Sequence, residues 1–347
     1  MRLVLQAALA ATMFTILADG AVAADGPRPL FASDSVLTLT LKGPIQDISR
    51  NVGAKPVPGL LTVTGAAPES LPIQLSTRGI TRRKKEICAF PPLRVEFTQK
   101  PGKTSLFRGQ KRLKLVTHCQ ASDRYQQDTL LQYAIYKLYN ALTPAGFDAR
   151  LAKIDYVDEG GRPIVSRYGF FLEDVSDVAD RNGLDRLRGV NHITISQLDP
   201  AAAARFAVFE YMISNLDWAM TASPVGVDCC HNSRLIGAQG ATTGLIPLPY
   251  DFDYSGLINA PYAVPPENIP VANVRVRRYR GFCAHNEQAQ TFIADLLTRR
   301  AALFAILDST PQLSGSMREQ ADDYLNGSFD QINTPAHVAD LMKSCLR

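Results

Sequence analysis

The spacing of apolar residues changes character about halfway along the chain, and this change constrains the fold more than any other feature. In the first part apolar and polar residues alternate, as they do in half-buried strands. The alternating segments are residues 36–42, 71–76, 93–97, 112–117, 151–157 and 164–172. Later apolar residues recur at helical spacing instead. The sequence therefore predicts an α+β fold, strand-rich first and mainly helical afterwards, with a boundary near residues 175–190.

Helix signals support this division. One helix is predicted within the strand-rich part, over residues 128–142, because apolar residues recur there at helical spacing, and Pro144 and Gly146 would end it. In the second part Asp199 precedes Pro200, which combines an N-cap residue with the proline that favours the first helical position. Further helices are predicted at residues 286–308, 315–325 and 335–346.

The first 24 residues have the three parts of a secretory signal peptide. Arg2 is followed by a short apolar stretch and then by small residues that end at Ala24. We expect cleavage near Ala24, a strand-rich part over residues 25–180 and a mainly helical part over residues 181–347. No later apolar run in the sequence is long enough to span a bilayer. A periplasmic or secreted location follows from these expectations.

The six cysteines all follow the predicted cleavage site. An even number in an exported chain favours disulfides. Cys88 and Cys119 flank neighbouring predicted strands, so we expect them to pair. A metal site at Cys229-Cys230-His231 or around Cys283 is the alternative, but neither cluster has the usual CxxC spacing.

Charge and known motifs exclude several functions. Lys and Arg number 37 against 33 Asp and Glu, and a net charge of +4 over 347 residues does not indicate a nucleic-acid binder. The sequence contains no GxxxxGK[ST] loop. It also lacks GxGxxG and a His-Arg-Asp triplet, which excludes an ordinary protein kinase. The basic run at residues 78–85 fits either a phosphate-binding loop or a solvated one.

Three polar motifs in the second part suggest a magnesium site. Asp217 follows the helix capped by Asp199, Asn232 follows Asp217, and Asp251 with Asp253 comes after a short predicted strand. Mg²⁺ takes hard oxygen ligands, commonly one or two carboxylates together with substrate phosphates. The alternative is that these side chains only cap helices and close turns.

Several stretches resemble the CotH family of exported, atypical kinases. The similar motifs, in chain order, are Arg78-Gly79-x-Thr81 with Lys84-Lys85, Leu93–Phe97, the helix around Tyr133-Ala134, residues 168–173, Asn215-x-Asp217, His231-Asn232 and residues 249–253. The resemblance implies a two-lobed, atypical protein-kinase-like fold with a strand-rich N-terminal lobe and a helical C-terminal lobe. It also implies ATP and Mg²⁺ as cofactors and phosphate transfer to a hydroxyl of a secreted or envelope protein.

The resemblance also implies roles for individual residues. Asp217 would accept the proton of the acceptor hydroxyl or orient it. Asn232 and Asp251 would hold Mg²⁺, with Asp253 either supporting them or holding a second ion. Residues near the nucleotide would be Glu173 and, at the phosphates, Arg94 or Lys85. The alternative is a catalytically silent envelope protein of this shape, which binds a partner or is purely structural.

Overall fold

The computed structural model describes residues 28–51, 53, 55–65, 68–224 and 226–347. The predicted signal peptide and its cleavage site lie outside these residues. No helix in the described ranges is long and apolar enough to cross a membrane. The described chain is a mixed α+β structure, as the apolar spacing predicts.

The first part of the chain forms a closed barrel of seven strands, in the order β1-β2-β3-β4-β5-β7-β6. All neighbours are antiparallel except β1 and β6, whose parallel pairing closes the barrel. Leu39, Leu41 and Leu113 point into its core and are at most 2% exposed. The strands are β1 Leu37–Lys42, β2 Val57–Val63, β3 Glu69–Thr77, β4 Leu93–Phe97, β5 Arg112–Val116, β6 Ala149–Val157 and β7 Pro163–Leu172.

Strand β2 was not predicted, because Pro56, Pro58 and Gly59 resemble a turn in the sequence. The structure shows why the glycine is compatible with a strand here. A Cβ atom on Gly59 would lie 2.8 Å from the carbonyl oxygen of Lys42 and from a methyl group of Leu75. Glycine therefore permits the close approach of neighbouring strands rather than a reversal of the chain.

The helices of the first part are α1, Ile45–Arg50, and α2, Asp123–Asn140. Helix α2 begins five residues before the predicted start at residue 128. It packs against β6 and β7 on one side and against later helices on the other. Because α2 is covered on several sides, its buried residues lie all around the helix. The sequence therefore lacks the single apolar face from which the start of a helix is predicted.

The second part combines a small antiparallel sheet, β10-β9-β8, with six helices among the described residues. Asp199 caps α4 as predicted, its Oδ1 accepting from the N–H of Ala202 at 2.7 Å. The helix predicted over residues 286–308 is instead two helices that meet at Arg299. The elements are α3 Val175–Arg181, β8 Asp185–Arg186, α4 Pro200–Met212, β9 Ser233–Gly237, β10 Ile246–Pro249, α5 Asn286–Thr298, α6 Arg300–Ser309, α7 Gly315–Asp330 and α8 Pro335–Lys343.

The cysteines form three disulfides. Cys88 pairs with Cys119, which confirms that prediction, and the bond joins the segments before β4 and after β5. Cys283 pairs with Cys345 and ties the start of α5 to the segment after α8. The other bond joins the adjacent Cys229 and Cys230, directly before His231.

Removing the Cys88–Cys119 bond is expected to lower the free energy of unfolding by about 3–4 kcal/mol, because the bond restricts the unfolded chain. The test is urea unfolding of the double variant Cys88→Ala/Cys119→Ala. The double variant Cys283→Ala/Cys345→Ala, with a sequence separation of 62 rather than 31, is the matched control and should lose slightly more. Unchanged stability of the first variant would contradict the expectation.

Candidate functional site

Asp217 lies in a rigid turn between α4 and the small sheet. The indole N–H of Trp218 donates to the carbonyl of Asn215 at 2.9 Å. Arg280 donates to the carbonyls of Leu216 and Trp218 at 2.7 and 2.8 Å. These bonds satisfy the backbone of the turn and fix the position from which the Asp217 carboxylate projects.

Two side chains hold this carboxylate, and we call the three residues the Asp217 cluster. The Nε2 atom of His231 lies 2.7 Å from Asp217 Oδ1. The amide of Asn232 donates to Asp217 Oδ2 at 2.9 Å. The hydrogen bond to the carboxylate raises the pKa of His231, against the effect of its partial burial. Asp217 keeps 30% of its side-chain surface exposed, so another molecule can still reach it.

A second group of charges, the Arg82 cluster, contains Arg82, Asp251 and Asp253. The Arg82 guanidinium lies 2.7 Å from Asp251 Oδ1 and 3.2 Å from Asp253 Oδ2. Asp251 has the left-handed backbone angle φ 66°, and its N–H donates to the hydroxyl of Tyr136 at 3.0 Å. The Tyr262 hydroxyl donates to Asp253 Oδ2 at 3.0 Å. One buried cation thus neutralises two carboxylates.

The pKa values of the two carboxylates in this cluster are shifted in opposite directions. Burial raises the pKa of Asp253 to about 7 against the effect of Arg82, and the charge of Asp251 adds to the rise. At Asp251 burial also acts upward, but Arg82 and Arg78 outweigh it and hold the pKa below its usual range. Asp251 is therefore the carboxylate that stays ionised, and 34% of its side chain is exposed.

The Asp217 and Arg82 clusters are neighbours through the small sheet. Asn232 directly precedes β9, and Tyr250 directly follows β10. The N–H of Tyr250 donates to the carbonyl of Asn232 at 3.2 Å. The structure therefore brings Asn232 and Asp251 to the same end of the small sheet. Asp217, Asn232, Asp251 and Asp253, which the sequence analysis singled out, lie together in this region.

Beside them is a cavity of about 150 Å³, the cationic cavity, between the barrel and the small sheet. Asp174 contributes the one carboxylate of its lining. Leu113, Leu172 and Val175 also line the cavity, but their side chains are almost fully buried. Its five basic side chains are Arg94, Arg112, Lys114, Arg186 and Arg234.

Lys114 connects the cationic cavity to the carboxylates. Its ammonium lies 5.4 Å from the centre of the Tyr250 ring, which the Arg234 guanidinium covers at 4.8 Å. Burial lowers the pKa of Lys114 to about 7, and the charges of Arg78 and Arg234 add to the fall. Sequence analysis did not single out Lys114. Its position in the alternating strand β5, opposite the buried Leu113 and Leu115, is the signal that could have found it.

The remaining candidate residues have different surroundings. Arg94 lines the cationic cavity, whereas Lys85 lies on an exposed loop. The carboxylate of Glu173 is fully buried and forms an ion pair with Arg181 at 3.0 Å. It also accepts from the N–H of Asp148 at 2.9 Å. Glu173 therefore lies next to Asp174 and the cavity, but its carboxylate is directed to partners within the protein.

The side chains at this end of the small sheet are of the types that Mg²⁺ takes as ligands. No group of three or more His, Cys, Asp or Glu side chains in the described ranges could hold a metal ion. Mg²⁺ does not need such a cage, since one or two carboxylates, waters and substrate phosphates commonly complete its coordination. Asp251 and Asp253 supply carboxylates and Asn232 an amide. Arg82 already neutralises both carboxylates, so binding of the ion would have to compete with the guanidinium.

Comparisons with known proteins give one structural likeness to report. No family model matches the chain, and no curated protein matches it. The crystal structure of a Helicobacter pylori proinflammatory kinase, CtkA, is similar over 72% of this chain and 92% of that chain. The identity is 10% and the TM-score 0.41. At this level of similarity no residue role passes from that protein to this chain.

Proposed function

We propose that this protein is an exported kinase of the CotH type, with two lobes, that binds ATP and Mg²⁺ and transfers phosphate to a protein hydroxyl. The observation that carries the proposal is the position of Tyr250. On one side of this residue are Lys114 and Arg234, and the next residue is Asp251. Groups that bind phosphate therefore adjoin a carboxylate suited to Mg²⁺, and through Asn232 they neighbour the partly exposed Asp217. Phosphate transfer needs these three kinds of group close together.

The proposal gives each group a physical task. Lys114 and Arg94 bind the phosphates of ATP, and Asp251 and Asn232 hold the metal ion. Bound Mg²⁺ neutralises negative charge that develops on the phosphates during transfer. Asp217 orients the acceptor hydroxyl and accepts its proton, while His231 and Asn232 fix the direction of the carboxylate.

One observation favours a second candidate, a protein of this shape that binds an anionic ligand without transferring phosphate. Arg82 neutralises both carboxylates of the proposed metal site. A protein with weak Mg²⁺ binding could keep the cationic cavity as a binding site and lose the chemistry. Both candidates predict the binding of anions in the cationic cavity, and they differ in Mg²⁺ binding and in phosphate transfer.

The three disulfides support the exported part of the proposal. Disulfides form and persist in oxidising environments such as the periplasm and the extracellular space. All described cysteines are paired. The acceptor would then be a secreted or envelope protein, because such a protein meets the kinase in the same compartment.

The Asp251→Asn variant tests the proposal. Asparagine keeps the shape of the side chain and removes its charge, so we expect the fold to persist and Mg²⁺-dependent ATP binding to be lost. The measurements are melting curves without ligand and titrations with ATP and Mg²⁺. The control is Asp155→Asn on β6, which changes an exposed aspartate. Equal ATP affinity in wild type and Asp251→Asn would contradict the metal site, and labelled-phosphate transfer by the wild type separates the kinase from the silent candidate.

A further inference from the structure

We propose that the cationic cavity recognises the phosphates of its ligand and not the base, so the protein accepts nucleoside triphosphates and inorganic tripolyphosphate alike. This inference rests on the proposed function, because it specifies the chemical class of the phosphate donor at the same site. The protein would then bind a triphosphate with similar affinity whether or not the ligand carries adenine.

Positive charge exceeds negative charge among the side chains that line the cavity. Five basic side chains and one carboxylate line the cavity. Arg186 pairs with Asp228 at 2.8 Å, and Arg234 donates to the carbonyls of Cys230 and Ser233. Among the described residues, Arg112 and Lys114 have no ion-pair partner at all. Like charges held this close repel one another unless a polyanion neutralises them.

The carboxylate in the cavity does little to offset this excess. Asp174 Oδ1 accepts from the N–H of Ser176 at 3.0 Å and caps helix α3. Burial acts to raise the pKa of Asp174, but the bond from Ser176 and the charge of Lys114 outweigh it and lower the pKa. Even with Arg186 paired to Asp228 and Arg94 4.0 Å from Glu96, basic side chains outnumber carboxylates here, so the cavity as a whole attracts anions.

The cavity itself offers a nucleotide base few groups to bind. Bases bind by stacking on aromatic rings or within apolar walls. No aromatic side chain is among the residues that line the cavity. The nearby ring of Tyr250 is approached by Lys114 and Arg234. The volume of about 150 Å³ is also well below the roughly 300–1,000 Å³ of pockets that enclose whole drug-sized ligands.

Two backbone groups beside the cavity, the N–H of Glu173 and the carbonyl of Asp174, are of the kinds that recognise the edge of a base. At the end of β7 the N–H of Glu173 donates to the carbonyl of Asp148 at 2.9 Å. The carbonyl of Asp174 accepts from the N–H groups of Asp177 and Val178 at 3.0 and 3.2 Å. These two groups are already paired within the protein, so they are not available to the edge of a base.

An adjoining groove has room for the remainder of a nucleotide. It measures about 620 Å³ and shares Arg112 and Asp174 with the cavity. Its lining includes the partly exposed ring of Phe97, on which a base could stack, together with Glu96, Lys111 and Arg188. Stacking on a ring is available to every base, so the identity of a base in this groove would contribute little to affinity.

The test is competition binding to the wild-type protein at fixed Mg²⁺ and salt, in buffer without phosphate. The probes are ATP, GTP, CTP, inorganic tripolyphosphate and adenosine. We expect the four triphosphates to bind within about fivefold of one another, which is about 1 kcal/mol, and adenosine not to compete. A preference for ATP of more than about fivefold over GTP or tripolyphosphate would overturn the inference and leave the proposed function intact. If no triphosphate binds, both are wrong.

The Lys114→Met variant provides a second readout. Loss of a charged hydrogen bond to phosphate should lower the affinity for all four triphosphates by about tenfold or more, and by the same factor for each. The control is Lys153→Met, which changes an exposed lysine on β6. A variant in which only ATP binding weakens would show recognition of the base and overturn the inference. Melting curves of both variants establish that they fold.

Discussion

The Asp217→Asn variant is expected to bind ATP as the wild type does and to transfer phosphate about 10² to 10⁴ times more slowly. Asparagine keeps the shape of the side chain: its oxygen can accept from the Asn232 amide, while its NH2 group donates to Nε2 of the neutral His231 ring. It cannot accept a proton from the acceptor hydroxyl. The chemical step is therefore lost, whereas the binding groups of the cationic cavity are untouched.

Single-turnover transfer of labelled phosphate, alongside ATP titration, measures both effects. Asp155→Asn again serves as the control and should match the wild type in both. Undiminished transfer by Asp217→Asn would show that this aspartate takes no part in the reaction. A parallel loss of ATP binding and of melting temperature would show that it only supports the turn between Asn215 and Trp218.

The Arg82→Met variant is expected to lose about 3–5 kcal/mol of folding free energy when divalent cations are absent. The guanidinium side chain is 8% exposed and neutralises Asp251 and Asp253. Its removal leaves Asp253, which is 7% exposed, without an ion-pair partner and leaves Asp251 only the charges of Arg78 and Lys114. Methionine retains most of the volume of the side chain, so the loss reflects charge rather than a cavity.

The same variant should respond more strongly to Mg²⁺ than the wild type does. With the guanidinium gone, the ion no longer competes for the carboxylates, and binding to the folded state alone stabilises it. The measurement is the melting temperature across a Mg²⁺ titration. Arg83→Met changes the next residue, for which no ion pair occurs among the described residues, and should shift stability by about 0.5 kcal/mol or less. An Arg82→Met protein as stable as the wild type, or equally insensitive to Mg²⁺, would contradict this account.

The sequence predicted most strands of the barrel, because their alternating patterns depend only on local burial. Strand β4 was predicted with its observed bounds, and the β6–β7 hairpin nearly so. The helix over residues 286–308 was predicted as continuous because both halves bury the same apolar face. Its break at Arg299 depends on where α5 and α6 pack, which local spacing does not record.

The part of the candidate site made by residues close together in the sequence could be predicted. The part made by residues from separate strands could not. Asp217, Asn232 and Asp251 follow one another around the small sheet. The cationic cavity instead collects side chains from β4, β5, β8 and β9, so the charges are separated in sequence. The basic run at residues 78–85 illustrates the same limit, since Arg82 is buried against two carboxylates while Lys84 and Lys85 are exposed.

The parallel pairing of β1 with β6 has a consequence for the order in which the barrel can form. Leu37 lies opposite Ala152, so the two strands that close the barrel are far apart in the chain. Pairings between distant segments form slowly, because the loop entropy is lost before the contacts are gained. During synthesis the chain therefore cannot complete the barrel until β7, which ends at Leu172, has emerged, and β1 cannot gain its second neighbour until Val157 has emerged. Until then β1 can pair only with β2 and keeps an open edge, at which a chaperone or a second unfinished copy could add a strand.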